Sequence, residues 1–302
     1  TRNDVLILTS SGTGAMEAAV VNTVARGEKA IVLVAGRFGM RWGDIARAFG
    51  IEPVIIEVPP GQSVTPAQLE ATLEAHPDVA AVFATLCETS TGAGHDIEAM
   101  GRLVANSTAI LAVDAISGAA AMECRTDRWN VDILVTGSQK ALMLPPGLAF
   151  LTMSPKAWTR TEQVKQQAYY FDLKKMRKKI AVPDTPFTPA HTLIKALGTS
   201  LKKIREEGIE NVWSRHRRLA AACRAGIQAL GLELFASRPA DVVTSVTVPA
   251  GLDVANLLSR LVERFGLMLT GGQDELKGKI FRIAHMGYMD ELDIIGTMSA
   301  LE

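Results

Sequence analysis

The chain has 302 residues, 48% apolar and 21% charged, which is enough apolar material for a sizeable core and excludes global disorder. Thirty-two basic residues balance thirty-two acidic ones, which argues against a dedicated binder of nucleic acid or anionic membrane. The longest nearly apolar stretch, 79–87, is far short of the ~20 residues a membrane span needs, the mixed-charge start is no signal peptide, and three scattered cysteines imply no disulfide framework and a reducing, cytoplasmic setting.

The length suits two domains, or one large domain with a smaller appendage. Apolar, β-branched runs at 5–9, 30–36, 53–58, 79–86, 109–114 and 131–137 read as strands buried on both faces, as in a mostly parallel sheet. Helix-like segments at 14–26, 41–50, 65–76 and 96–107 separate them. This alternation predicts a doubly wound α/β sheet with helices on both faces. The run 147–154 adds a strand that can lie antiparallel to its neighbours. The basic stretch 173–180 reads as a solvated face or a loop, and the proline-rich 182–190 as an extended connector. A long helical region follows over 191–231, broken at Gly208. Then come a strand over 244–251, a helix over 255–266, a short strand over 279–287 and a helix from about Asp290. The break at Gly208 sets a boundary between a large domain, 1–207, and a smaller C-terminal α/β domain, 208–302. No internal repeat stands out.

Three strand ends carry residues suited to chemistry. In SSGTGAMEA (10–18), Gly12 and Gly14 allow a tight turn whose N–H groups, with the positive end of the following helix dipole, suit a phosphate; a ligand-free turn fits the same residues. Asp114 ends the strand ILAVD, where ligands sit in open α/β sheets, although an acid that simply caps the next turn would look the same. Lys140 lies between the buried run VDILVTG and ALML, where desolvation would lower its pKa and make its amine nucleophilic. An anion cradle, an acid and a lysine are together what pyridoxal phosphate requires.

With these parts in that order, the sequence resembles the class V, fold-type I pyridoxal-phosphate aminotransferases, in the serine–glyoxylate and alanine–glyoxylate (serine–pyruvate) branch. The stretches that carry the resemblance are SSGTGAMEA, AGRFGMRW, CETSTG, VDAISG, WNVDILVTGSQKALMLPPG, PFTPA, EEGIENVWSRH and KIFRIAHMG. It implies a large cofactor-binding domain with a mostly parallel central sheet, a smaller C-terminal domain, and pyridoxal 5'-phosphate as cofactor. Lys140 would be the Schiff-base lysine and Asp114 the partner of the pyridine nitrogen. Thr13, Gly14 and Ala15 would form the phosphate cup, with Gln139 beside it. Phe38 would stack on the ring, and Thr89 would bond its hydroxyl. Thr188 would reach the phosphate of the neighbouring subunit, giving a homodimer with shared sites. Arg282 would grip the substrate carboxylate with its planar fork. Relatives of this kind begin with an arm containing a Pro-Gly-Pro segment, so the resemblance also implies that this chain starts after the arm and stops inside the last helix.

The activity implied is transfer of an amino group from serine or alanine to glyoxylate or pyruvate in two half-reactions. Alternatives from the same superfamily are a cysteine desulfurase, which would carry His where Gln139 stands, and a purine-catabolic glyoxylate aminotransferase. A non-catalytic subunit that keeps the fold is another. A nicotinamide dehydrogenase fits poorly: Glu17 replaces the third glycine of its fingerprint, and the next strand ends in Gly36 and Arg37 rather than an acid. The five histidines show no metal-ligand spacing, and no serine-hydrolase elbow is present.

Overall fold

The computed structural model describes residues 1–165, 167–182 and 184–302. In chain order its first half comprises β1 (Val5–Thr9), α1 (Gly12–Thr23), β2 (Lys29–Val34), α2 (Arg37–Ala48), β3 (Glu52–Glu57), α3 (Pro66–Ala75), β4 (Ala81–Thr85), β5 (Cys87–Glu88), β6 (Ala93–Gly94), α4 (Ile97–Ala105), β7 (Ile110–Asp114), β8 (Ile133–Gly137) and β9 (Leu148–Met153). The second half adds α5 (Pro155–Gln163), α6 (Leu173–Ile180), α7 (His191–Glu207), α8 (Ile209–Ala229), β10 (Val243–Thr247), α9 (Val254–Phe265), β11 (Thr270–Gly271), β12 (Ile280–Ala284) and α10 (Glu291–Leu301).

Seven strands form the central sheet in the order β1-β9-β8-β7-β4-β2-β3. β9 pairs antiparallel with both β1 and β8, and the other pairs are parallel. One core, built from α1, α2, α5 and α6 side chains such as Met16, Trp42, Trp158 and Met176, packs on one face of the sheet. A second, with Leu69 of α3 and Met100 of α4, packs on the other. Inner strands β2, β4, β7 and β9 are buried nearly throughout, as their continuous apolar runs require. The edge strand β1 departs from that expectation, because Val5 and Ile7 face outward and are 48% and 39% exposed. A second, antiparallel sheet runs β10-β12-β11 against a core of α8, α9 and α10 that includes Leu219, Val254 and Ile294.

Local chemistry sets the helix starts. Thr65 and Gln68 form a capping box at α3 with Pro66 in its first turn, and Asp290 with Asp293 does the same for α10. Gly208 takes a left-handed φ of 84° between α7 and α8, which is the break read from the sequence. The first helix begins two residues earlier than expected and stops at Thr23. The basic stretch 173–180 is not a loop but the helix α6, capped by Asp172 and anchored by the buried Leu173 and Met176. Around it, the proline-rich connector is free of helix and strand among its described residues, and Phe187 stacks on Tyr170 at 4.8 Å; Pro183 lies outside the described residues. The hairpin β5–β6, helix α5 and strand β11 were not anticipated.

Candidate active site

Parallel pairing brings the carboxyl ends of β2, β4, β7 and β8 to one edge of the sheet, and β1, antiparallel to β9 as β8 is, ends on the same edge; the sequence-predicted residues follow those ends. Thr13, Gly14 and Ala15 open α1 after β1. Phe38 opens α2 after β2. Thr89 follows β4 by way of β5, Asp114 ends β7, and Gln139 and Lys140 follow β8. Asp114 sits in register between Thr85 and Val135.

Asp114 is 4% exposed and forms no ion pair among the described residues. Its Oδ1 accepts the Ile116 N–H at 2.8 Å. Burial pushes its carboxyl up to about 7; the Ile116 N–H and the nearby charges of Arg41 and Lys140 work against that rise, and Glu88 adds to it. Lys140 is half-buried, and burial lowers its ammonium below the usual lysine range, reinforced by Arg282 and opposed by Asp114. A lysine so placed yields a neutral amine more readily than a solvated one.

Helix α1 starts at Ser11 without a side-chain cap and with no acid in its first turn, so its positive end is not neutralised from within. Gly14 leaves room for its neighbours there: a Cβ would lie 1.9 Å from Ser10 Oγ and 2.8 Å from Phe171 Cζ, so both side chains would have to shift. Ala15 is fully buried, so only its backbone could serve a ligand. The Thr13 hydroxyl accepts from Arg41 Nη1 at 3.0 Å, and the same guanidinium lies 4.9 Å from the Phe38 ring centroid. Gln139 is exposed beside Gly137.

Arg282 lies in β12, flanked by Ser245 and Thr270 of the adjoining strands, and is 9% exposed. Its Nε and Nη2 donate to the Gly271 carbonyl at 3.2 and 3.0 Å, and Nη1 donates to the Thr89 carbonyl at 2.7 Å. These contacts take three of the five guanidinium N–H donors and fix the plane of the fork between β11 and the segment that follows β5. Thr188 stands apart in the connector, exposed.

Three residues at this edge escaped the sequence reading: Arg41, Glu88 and Ser90. Glu88 is fully buried. Its Oε2 accepts the Phe38 and Gly39 N–H groups, each at 2.9 Å, and its Oε1 accepts from the Ser90 N–H at 3.1 Å and the Ser90 hydroxyl at 2.5 Å. An acid just after the apolar run 79–87 was the available signal, the same kind that marked Asp114. Histidines 95, 216 and 285 are buried, and no cluster of metal-ligating side chains occurs among the described residues. No described helix is long and apolar enough to cross a membrane.

Residues 1–288 match the family model described as Aminotransferase class-V. Over its whole length the chain is 43% identical to the soluble hydrogenase small subunit of a Synechococcus strain, covering 80% of that protein. It is 38% identical to an L-aspartate–glyoxylate aminotransferase of Paracoccus denitrificans, with 99% of this chain and 78% of the relative aligned. Among solved structures, an alanine–glyoxylate aminotransferase from Nostoc superposes with a TM-score of 0.95 at 30% identity, over 100% of this chain and 82% of that one. A lysine, a buried acid and a glycine turn on one sheet edge agree with a sequence match of that extent: the chain belongs to the class V aminotransferases, a family of enzymes with the fold-type I architecture.

Proposed function

We propose that the protein transfers the amino group of a small L-amino acid, serine or alanine, to glyoxylate or pyruvate, with pyridoxal 5'-phosphate as its cofactor. The observation that carries this reading is Asp114. A carboxylate 4% exposed with no ion-pair partner among the described residues is costly to bury, and a protonated pyridine nitrogen is the partner that would relieve the cost. The lowered Lys140 amine beside it and the uncapped α1 terminus fit the aldehyde and phosphate of the same molecule.

When bound, pyridoxal phosphate supplies a carbonyl for amines and a ring that draws electrons from the substrate Cα. The protein's residues do the rest. Lys140 Nζ takes the proton from Cα as general base and returns it as general acid. Asp114 holds the proton on the ring nitrogen. Amides of Thr13, Gly14 and Ala15, with Gln139 alongside, hold the phosphate. Phe38 covers one ring face and excludes water from it, and Thr89 bonds the ring hydroxyl. Arg282 presents its two remaining N–H donors to the substrate carboxylate and so orients Cα–H. In a homodimer Thr188 reaches the partner's phosphate. A boundary near Gly208 and a cytoplasmic location complete the proposal.

The Synechococcus relative's name favours a second reading, a non-catalytic subunit that keeps the fold. One experiment separates the two. Purified protein is loaded with pyridoxal phosphate and mixed with serine, alanine or aspartate, the last because of the Paracoccus relative. Loss of the lysine-bound absorbance band, with keto-acid release in the presence of glyoxylate or pyruvate, supports the aminotransferase and ranks the donors. A band that no amino acid alters refutes it.

A further inference from the structure

Helix α2 carries Phe38 and Arg41 to the site, yet its own N-terminus is poorly equipped. Its cap position is Gly36, which has no side chain, and its first turn has no acid. The missing cap comes from another strand. Glu88 of β5 accepts the Phe38 and Gly39 N–H groups on Oε2, fifty and forty-nine residues away in sequence. The approach is so close that a Cβ on Gly36 would lie 2.8 Å from Glu88 Cγ and 2.5 Å from Ser90 Oγ.

The other oxygen works in the opposite direction. Oε1 accepts the Ser90 N–H and hydroxyl, while the Ser90 hydroxyl oxygen also accepts the Arg37 N–H at 3.1 Å. Immediately before Ser90, the Thr89 carbonyl takes Arg282 Nη1 at 2.7 Å. One fully buried carboxylate therefore joins the start of α2 to the segment that braces the Arg282 fork. Four donors face its two oxygens, which matches the acceptor capacity of an ionised carboxylate and not of a carboxylic acid. Burial pushes the Glu88 carboxyl up, and those donors oppose the rise.

We propose that Glu88 is a positioning residue, which through its two oxygens sets the spacing between Phe38 over the cofactor ring and Arg282 on the substrate carboxylate. The inference rests on the pyridoxal-phosphate reading of the site. Glu88→Gln keeps the shape but supplies one acceptor oxygen and an NH₂ donor. Whichever way the amide turns, it points hydrogens at N–H donors of either α2 or Ser90, and one side of the joint must move.

The test compares wild type, Glu88→Gln and Ser90→Ala. Each apoenzyme is titrated with pyridoxal phosphate by tryptophan fluorescence, its thermal midpoint is measured, and its kcat and KM are determined separately. Expected for Glu88→Gln is a midpoint within a few degrees of wild type, a cofactor Kd raised about tenfold, and KM for donor and acceptor raised about tenfold, a larger change than the fall in kcat. Ser90→Ala removes one of the four donors and should move the same quantities in the same direction, by roughly threefold. A folded Glu88→Gln with Kd and KM within about twofold of wild type would overturn the proposal. Should Glu88→Gln not fold, wild-type values for Ser90→Ala would overturn it equally. Failure of the wild-type protein to bind pyridoxal phosphate would overturn the cofactor reading, and this inference with it.

Discussion

Asp114→Asn should stabilise the cofactor-free protein while crippling the enzyme. Burial raises the Asp114 carboxyl from an ordinary 3.8 to about 7, so the folded chain holds a proton that the unfolded chain releases. The contribution of this group to stability is greatest below about pH 4, declines as pH rises, and is fully lost above about pH 7. A rise of about three pH units corresponds to about 4 kcal/mol. Asparagine does not ionise, and its side-chain oxygen can still accept the Ile116 N–H that Oδ1 takes at 2.8 Å. At pH 8 the variant should therefore be more stable than wild type by up to about 4 kcal/mol. That difference should shrink towards zero by pH 4. At roughly 2 °C per kcal/mol for a chain of this size, the midpoint should rise by up to about 8 °C at pH 8. The assay is calorimetric melting of both apoproteins from pH 4 to 8, repeated with saturating pyridoxal phosphate. The cofactor should stabilise wild type more than the variant, because only the carboxylate gains a cationic partner. Equal midpoints at pH 8, or a difference that does not change between pH 4 and 8, would refute the argument.

Lys140→Ala should abolish turnover while leaving non-covalent cofactor binding, and borohydride reduction of wild type should place the label on Lys140; label on another lysine would reassign the role. Arg282→Lys should cost about one to four orders of magnitude in kcat/KM for both donor and acceptor, since one or two charge-assisted bonds of roughly 1.5–3 kcal/mol each are lost. Cofactor affinity should hold, and the reverse pattern would make Arg282 structural. Arg41→Met removes the donor to Thr13 Oγ1 and the cation near Phe38 and Asp114. Cofactor Kd should rise about tenfold, ~1.4 kcal/mol, and an unchanged titration curve would show that Arg41 does not organise the phosphate end.

Much of the large sheet was legible because each inner strand is a continuous apolar run, and a strand buried on both faces has no other pattern available. Asp114, Lys140 and the Gly12–Gly14 turn could be picked out for a related reason: each lies where an apolar run stops, and strands that run in one direction gather those stops on one edge. The helix break at Gly208 and the extended connector followed from backbone chemistry alone. Other features carried no local signal. Strands β5 and β6 have two residues each, too few for periodicity, and are held by bonds to residues 238–240. Ser154 and Pro155 do spell a helix start, but α5 is too short to stand out beside the strand before it. The basic run 173–180 looks solvated from its charges, whereas docking of Leu173 and Met176 on the core makes it a helix. Exposure of Val5 and Ile7 depended on β1 taking the sheet edge, which strand order decides and composition does not. Most plainly, Glu88 and Arg282 are an ordinary acid and an ordinary arginine in sequence. Their importance comes from donors and acceptors contributed by residues as many as 193 positions away. Residue type and spacing determine which groups reach a strand end; the burial of a charge, and what satisfies it, exist only once distant segments have packed together.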